Sequence, residues 1–245
     1  MINILIPMAG KNQYFPESDF PFPKPLIEIG SKTMIEHVIE NLSTAHEQVR
    51  FIFVISDSDC RKFHLDSTLK IITDGKCQIV RLDRETQGSA CSALMAIDYI
   101  AGDEPLLIAN NDQIFDNSIA DLILDFQTAD AGVVSFDSVH PRWSYIRLDE
   151  NQMVVETAEK RPLSRHAIAG LYYFKRGNDF VHAAMRMIEK GESVNGNYFI
   201  SPALNQMILD GKVVRMKKVD SIRYHTFYTP QKVKEYENSL LRDGE

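Results

Sequence analysis

No apolar stretch of this sequence approaches the about 18 residues that a membrane-spanning helix needs, and no cationic segment precedes its short N-terminal apolar run. A membrane protein or a secretory leader is therefore not expected. Cysteine is sparse. Cys60, Cys77 and Cys91 are far apart, form no C-x-x-C pair and lie at no Cys/His metal spacing, so they read as reduced thiols of a cytoplasmic protein. Positive charge is in deficit as well. The 27 basic and 34 acidic residues leave a net charge of −7, which argues against a general nucleic-acid or membrane-surface binder. There is no internal repeat, no low-complexity linker and no nucleophilic triad around His166 or His225.

What is present is ordinary for a globular domain. A chain of 245 residues with 44% hydrophobic and 25% charged residues can bury a substantial core without disulfides or metal staples. The first third alternates strand and helix: strands at 2–7, 51–55, 77–82 and 106–109, and helices at 34–42, 59–68 and 89–100. Met34, Ile35, Val38, Ile39 and Leu42 fall on one face of the first helix. Phe51 to Ile55 is apolar throughout, as in a parallel strand buried on both faces. The pattern predicts a Rossmann-like three-layer α/β/α fold with a mixed, mostly parallel sheet.

From residue 131 the pattern shifts to more strand. Strands are expected at 132–136, 145–148, 153–157, 167–174 and 213–219, with a hairpin around Asp149-Glu150-Asn151. Helices are expected at 179–190, 201–209 and 229–240, the last with Pro230 in its first turn. The expectation is a single domain over 1–245, in which the β-pieces of the second half (131–245) could roof the crevice of the first (1–130).

Ligands of such sheets bind beyond the carboxyl ends of the strands, and three segments fall there. The loop at Ala9 and Gly10, with Lys24 between Pro23 and Pro25, offers backbone N–H groups and a cation to a phosphate; the alternative is a plain core strand and surface loop. Gln87 and Gly88 lie where a strand turns into a helix, and permit either close approach of a planar ligand or tight helix–sheet packing. Asp112 follows a buried strand and can hold Mg²⁺ beside phosphate oxygens or simply cap a helix. Further on, Glu159 and Lys160 can pair with a sugar hydroxyl and a phosphate, or be a solvated surface pair. Trp143, Tyr145, Tyr172, Tyr173 and Tyr198 read as core or pocket wall.

In order and spacing these segments resemble the sugar-1-phosphate nucleotidylyltransferases, the nucleotide-sugar pyrophosphorylase type. The blocks are IPMAG, FPKPLIEIG and MIEHVIENL within 6–42, ETQGSACSAL at 85–94, LLIANNDQ at 106–113, and AEKRP with AIAGLYYF within 158–174. VNGNYFISPALNQMI at 194–208 is a weaker fifth. The resemblance implies that an NTP, with a pyrimidine base slightly favoured (CTP, dTTP or UTP), is coupled with Mg²⁺ to a sugar 1-phosphate or similar phosphorylated acceptor for surface-polysaccharide synthesis. Homo-oligomerisation is left open.

Carried over, Ala9, Gly10, Gln87 and Gly88 contact the nucleotide, Lys24 its phosphates, and Asp112 the Mg²⁺. Glu159, Lys160, Gly170 and Asn197 belong to the acceptor side. The sequence departs from the family at Asn12 and Tyr14, where a second glycine and an arginine are usual, and Lys11 is the candidate substitute cation. It also lacks the second metal-binding aspartate before Thr229-Pro230, with Asp220 the nearest candidate. These departures raise the alternative of a weak or inactive nucleotide-binding homologue with a regulatory role. A glycosyltransferase ranks lower, because Asn110-Asn111-Asp112-Gln113 has no Asp-x-Asp pair.

Overall fold

Successive residues of Phe51–Ile55 enter two different cores. Phe51, Phe53 and Ile55 join one, while Ile52 and Val54 join the other. The same division holds for Ile4 and Ile6 against Leu5, and for Leu107 and Ala109 against Leu106 and Ile108. Side chains of a strand alternate between faces, so a strand apolar on both needs cover on both. In this computed structural model, which describes residues 1–10, 14–16 and 18–243, that cover is two helical layers.

The strands are β1 (Ile2–Pro7), β2 (Glu28–Ile29), β3 (Lys32–Thr33), β4 (Val49–Ser56), β5 (Cys77–Leu82), β6 (Leu106–Ala109), β7 (Gln113–Phe115), β8 (Ala131–Asp137), β9 (Ser144–Leu148), β10 (Val154–Glu159), β11 (His166–Phe174), β12 (Val214–Lys218) and β13 (Tyr224–Thr226). The helices are α1 (Met34–Ser43), α2 (Asp57–Phe63), α3 (Leu65–Ile72), α4 (Ser89–Leu94), α5 (Ile97–Ile100), α6 (Ile119–Ile123), α7 (Gly177–Glu189), α8 (Ala203–Leu209) and α9 (Pro230–Asp243). The main sheet has nine strands, with β10-β9-β11-β6-β1-β4-β5 in order and β8 and β12 branching from β11. Following the pairings, β1, β4, β5, β6, β8, β9 and β12 share one direction, and β10 and β11 oppose it. The expected mixed, mostly parallel α/β/α sheet is what the chain forms.

Helix α1 begins with a reciprocal cap. Thr33 Oγ1 accepts from the Glu36 N–H (3.4 Å), and Glu36 accepts from the Thr33 N–H (2.6 Å). Its five predicted apolar positions are all buried.

Three expectations need correction. The helix expected over 59–68 is two helices that meet at His64, whose φ is +52°. In one straight helix Leu65 and Leu69 would point about 140° and 180° away from Cys60, yet all three enter the same core. The break reconciles them. The helix expected over 89–100 is likewise interrupted: the N–H groups of Met95, Ala96 and Tyr99 bond three residues back rather than four. Finally, the later strands do not roof the crevice. Tyr172 of β11 lies opposite Ile108 of β6, so the second half continues the same sheet.

Among the described residues, no helix is long and apolar enough to cross a membrane.

Candidate active site

A cleft of about 1050 Å³ opens beyond the carboxyl ends of β1, β4 and β5. Ala9, Gly10, Phe15, Pro23 and Lys24 line one side, Ser56 to Asp59 and Leu82 to Glu85 the other, and Asn111 the inner end. The loop leaves β1 in a fixed direction because the Met8 N–H donates to Val54 O (2.8 Å). A Cβ on Gly10 would meet nothing within 4 Å, so this glycine borders open space. Lys11 and Asn12 lie outside the described residues.

Pro23 and Pro25 bracket a single 3₁₀ turn that holds Lys24. Its ammonium pairs with the carboxylate of Asp112, and lies 5.5 Å from the centre of the Phe15 ring. The side chains are 12% and 19% exposed, so the pair is largely shielded from water. Asp112 is also held through its backbone, where its carbonyl accepts from the Phe227 N–H (2.7 Å).

Beneath Asp112, β11 bulges at Gly170, which adopts φ +58°. A Cβ there would lie 2.2 Å from Asn110 Nδ2 and 2.7 Å from Gln113 Oε1. Gly170 therefore gives close approach to the Asn110–Gln113 turn itself. That turn is tied down by Asn110 N–H to Gly170 O (3.1 Å) and by the Tyr224 hydroxyl donating to Gln113 Oε1 (2.9 Å).

The second cluster stands at the end of the β9–β10 ladder, where Ser144 pairs with Glu159. The Glu159 carboxylate accepts from the hydroxyls of Ser144 and Ser201, the latter at 2.9 Å. Burial pushes its pKa above the usual carboxylate range, against the opposing pull of these hydroxyls and of Lys160. Burial also pushes up the Tyr172 phenol, with the Glu159 charge adding to the effect. Lys160 follows in a left-handed conformation (φ +55°), donates its N–H to Trp143 O (3.0 Å), and sets its ammonium 4.7 Å from the Phe199 ring centre. Glu159 is thus held in built contacts, while Lys160 is exposed to solvent and rests against a ring.

The segment that carries Ser201 also meets the turn between β5 and α4. The Tyr198 N–H donates to Gln87 O (2.8 Å), and Tyr198 O accepts from the Ala90 N–H (3.0 Å). Gly88 (φ +106°) lies flat against this backbone, and a Cβ would fall 2.3 Å from Tyr198 O. The small residue at 88 thus admits the chain's own strand-like arm, while the exposed Gln87 side chain faces outward.

A part-buried cation–carboxylate pair thus stands beyond the carboxyl end of a mixed sheet, and a second Glu/Lys group stands at the end of the β9–β10 ladder. Residues 20–221 match the nucleotidyl transferase family. The chain belongs to that family.

The fold of this nucleotidyl transferase superposes closely, at low identity, on solved structures. A nucleoside-diphosphate-sugar pyrophosphorylase from Vibrio cholerae aligns with a TM-score of 0.85 at 21% identity, covering 96% of this chain and 99% of that one. A UDP-glucose pyrophosphorylase complexed with UDP-glucose aligns at 0.76 and 18%, covering 99% and 100%. Among curated sequences, the bifunctional protein GlmU of Methanocaldococcus jannaschii is 25% identical over 223 residues, 88% of this chain and 49% of its own length. The low-salt glycan biosynthesis nucleotidyltransferase Agl11 of Haloferax volcanii is 25% identical over 201 residues, 78% of this chain and 53% of its own. The chain spans about half the length of the curated relatives it matches.

Two candidates from the sequence are occupied elsewhere. Asp220 caps a 3₁₀ turn by accepting from the Ile222 N–H (3.1 Å). The antiparallel ribbon β7–β13 sets Thr226 beside Gln113 and carries the chain from Tyr224 back to Asp220 away from Asp112, so Asp220 is not brought to it. Asn197 closes the Asn195-Gly196 turn, bonding Val194 through its backbone and Asn195 O through its side chain (3.2 Å).

Tyr14, 52% exposed, meets Tyr228 edge-on at 6.2 Å. Sequence reasoning missed the Ser144 and Ser201 clamp on Glu159, the Phe199 ring under Lys160, and Arg142, whose guanidinium lies 4.4 Å from the Tyr228 ring centre. The polar position Ser144, just before the apolar Tyr145-Ile146 pair, was the available signal for the first.

Proposed function

We propose that this nucleotidyl transferase is of the sugar-pyrophosphorylase kind, and couples an NTP to a sugar 1-phosphate or a similar small phosphorylated acceptor. The observation that carries this reading is the Lys24–Asp112 pair, whose lysine lines the cleft, together with Glu159 and Lys160 at the end of the β9–β10 ladder of the same sheet. An oxygen of the acceptor phosphate attacks the α-phosphorus of the NTP in line. The bond from that phosphorus to the α–β bridging oxygen breaks, and pyrophosphate leaves with the electron pair. No covalent enzyme intermediate is required, so the protein's task is positioning and charge neutralisation.

In this reading Lys24 exchanges Asp112 for nucleotide phosphate oxygens, and the loop at Ala9 and Gly10 lies along the nucleotide. Glu159 accepts a hydroxyl of the acceptor sugar. Lys160 faces the acceptor phosphate. Asp112 is the carboxylate that would hold Mg²⁺. An Mg²⁺ ion that keeps waters and phosphate oxygens as its other ligands would need only this one carboxylate from the chain. Such an ion supplies neutralisation of phosphate charge. The product belongs to the class of activated sugars that glycan assembly consumes.

The test is pyrophosphate release by the full chain with Mg²⁺, across each NTP and dTTP and a panel of sugar 1-phosphates and other small phosphates. Release that requires one NTP and one acceptor, and is lost in Asp112→Ala, is the expected result. Tight nucleotide binding without turnover on any acceptor would overturn it in favour of a binding-only homologue, the reading that Tyr14 favours.

A further inference from the structure

Phe15, Phe20, Phe22 and Phe63 all line the cleft, and they form two ring pairs. Phe15 and Phe20 meet at 4.9 Å, and this pair is already engaged, since Phe15 is buried and carries the Lys24 ammonium over its ring. Phe22 meets Phe63, the last residue of α2, edge-on at 6.0 Å, yet remains 58% exposed. A phenylalanine is ordinarily buried, so an open ring inside a concave site marks a binding surface.

The chain holds this ring in place before any ligand arrives. Pro21 and Pro23 flank Phe22, and a proline fixes its own φ and restricts the residue before it. Pro23 is extended, with φ −62° and ψ 149°, so Phe22 and Lys24 stand at most about 7 Å apart along the chain. The Phe63 edge steadies the ring from α2. A ring so restrained loses little freedom when a second ring stacks on it. The flank of Gly88, the other place where the sequence allows a flat ring, is covered by the Tyr198 backbone.

We propose that Phe22 is the platform on which the nucleotide's base stacks, with Phe63 as its support. The inference rests on the functional reading above for the presence of a nucleotide. Its phosphates meet Lys24, and the base reaches back over the neighbouring ring. Every base offers a π-face, so the platform adds affinity without choosing among bases.

Isothermal titration calorimetry with Mg²⁺ and no acceptor measures CTP, UTP, dTTP, ATP and GTP on the full chain, with inorganic tripolyphosphate as the base-free control. The proteins are the wild type, Phe22→Ala, Phe22→Leu and Phe22→Tyr. The Leu variant keeps an apolar contact with Phe63 but has no ring, and the Tyr variant keeps the ring. The expected result is a Kd about ten-fold weaker or more in the Ala and Leu variants, for each NTP that the wild type binds. NTP binding by the Tyr variant, and tripolyphosphate binding by all variants, stay within about two-fold of wild type. In Phe22→Trp, each of those NTPs should quench the new indole emission while tripolyphosphate does not, with the wild-type signal of Trp143 as the baseline.

NTP affinity within about two-fold of wild type in the Ala variant would overturn the platform. So would full recovery in Leu, which would make the contact one of packing, or an equal loss for tripolyphosphate, which would make Phe22 a brace for the Lys24 turn. A wild type that binds no NTP would overturn it as well. NTP binding that depends on the Phe22 ring, without pyrophosphate release on any acceptor, would keep the platform and remove the transferase reading. Pyrophosphate release with NTP affinity indifferent to Phe22 would do the reverse.

Discussion

The ammonium of Lys24 neutralises the carboxylate of Asp112 across 88 residues of sequence. Each is the other's counter-ion, so the pair supports the fold, and in the proposed reaction it is the charge that phosphates would redistribute. Removing one partner leaves a poorly solvated charge. Lys24→Met and Asp112→Asn should each cost about 1–3 kcal/mol by urea unfolding, and the double variant less than their sum. Pyrophosphate release should fall about 10²–10³-fold in either single variant.

Glu159 sets an acid limit on acceptor binding. Its folded-state pKa lies above the ordinary carboxylate value because burial disfavours the charge. The proton is therefore held more tightly in the folded protein. That contribution to stability is fully present below the unfolded pKa and is lost as pH rises through the folded one. Acceptor hydroxyls need the ionised form, so the acceptor KM should rise as pH falls through the raised value. Glu159→Gln should abolish that acid limb and weaken acceptor binding about ten-fold at neutral pH.

Gly88→Ala should loosen the arm that carries Tyr198. A Cβ at 2.3 Å from Tyr198 O, at φ +106°, cannot be relieved by a side-chain rotation, since the obstacle is backbone. We expect a loss of about 1–3 kcal/mol by urea unfolding. Limited proteolysis should open near 194–198, and the acceptor KM should rise along with that of the NTP.

Gly10→Ala is the counterpart. Its Cβ would meet nothing within 4 Å, so unfolding by urea should match the wild type to within about 0.5 kcal/mol. The methyl group instead enters the open cleft, and the NTP KM should increase while the acceptor KM does not.

Gly170→Ala forces a methyl group to within 2.2 Å of Asn110 Nδ2 and 2.7 Å of Gln113 Oε1, at φ +58°. The turn between those residues carries Asp112. The expected outcome is a loss of about 1–3 kcal/mol together with a fall in kcat, measured by calorimetry and pyrophosphate release.

By itself the sequence determined the strand–helix alternation, the apolar faces of α1 and β4, the proline-bracketed position of Lys24, and the positions of Asp112, Glu159 and Lys160 near strand ends. These are encoded within a few residues, as periodicity, turn chemistry and charge beside an apolar run. Tertiary structure decided the rest. Gly88 and Gly170 suggested room for a ligand, yet the room is filled by Tyr198 and by Asn110 with Gln113. Asp220 was near enough in sequence to serve Asp112, but the β7–β13 ribbon carries it away. Ser201 clamps Glu159 from 42 residues further on, and Arg142 finds Tyr228 across the sheet. Such partners are set by how the strands are ordered and registered, and strand order joins residues whose separation in the chain leaves no local trace.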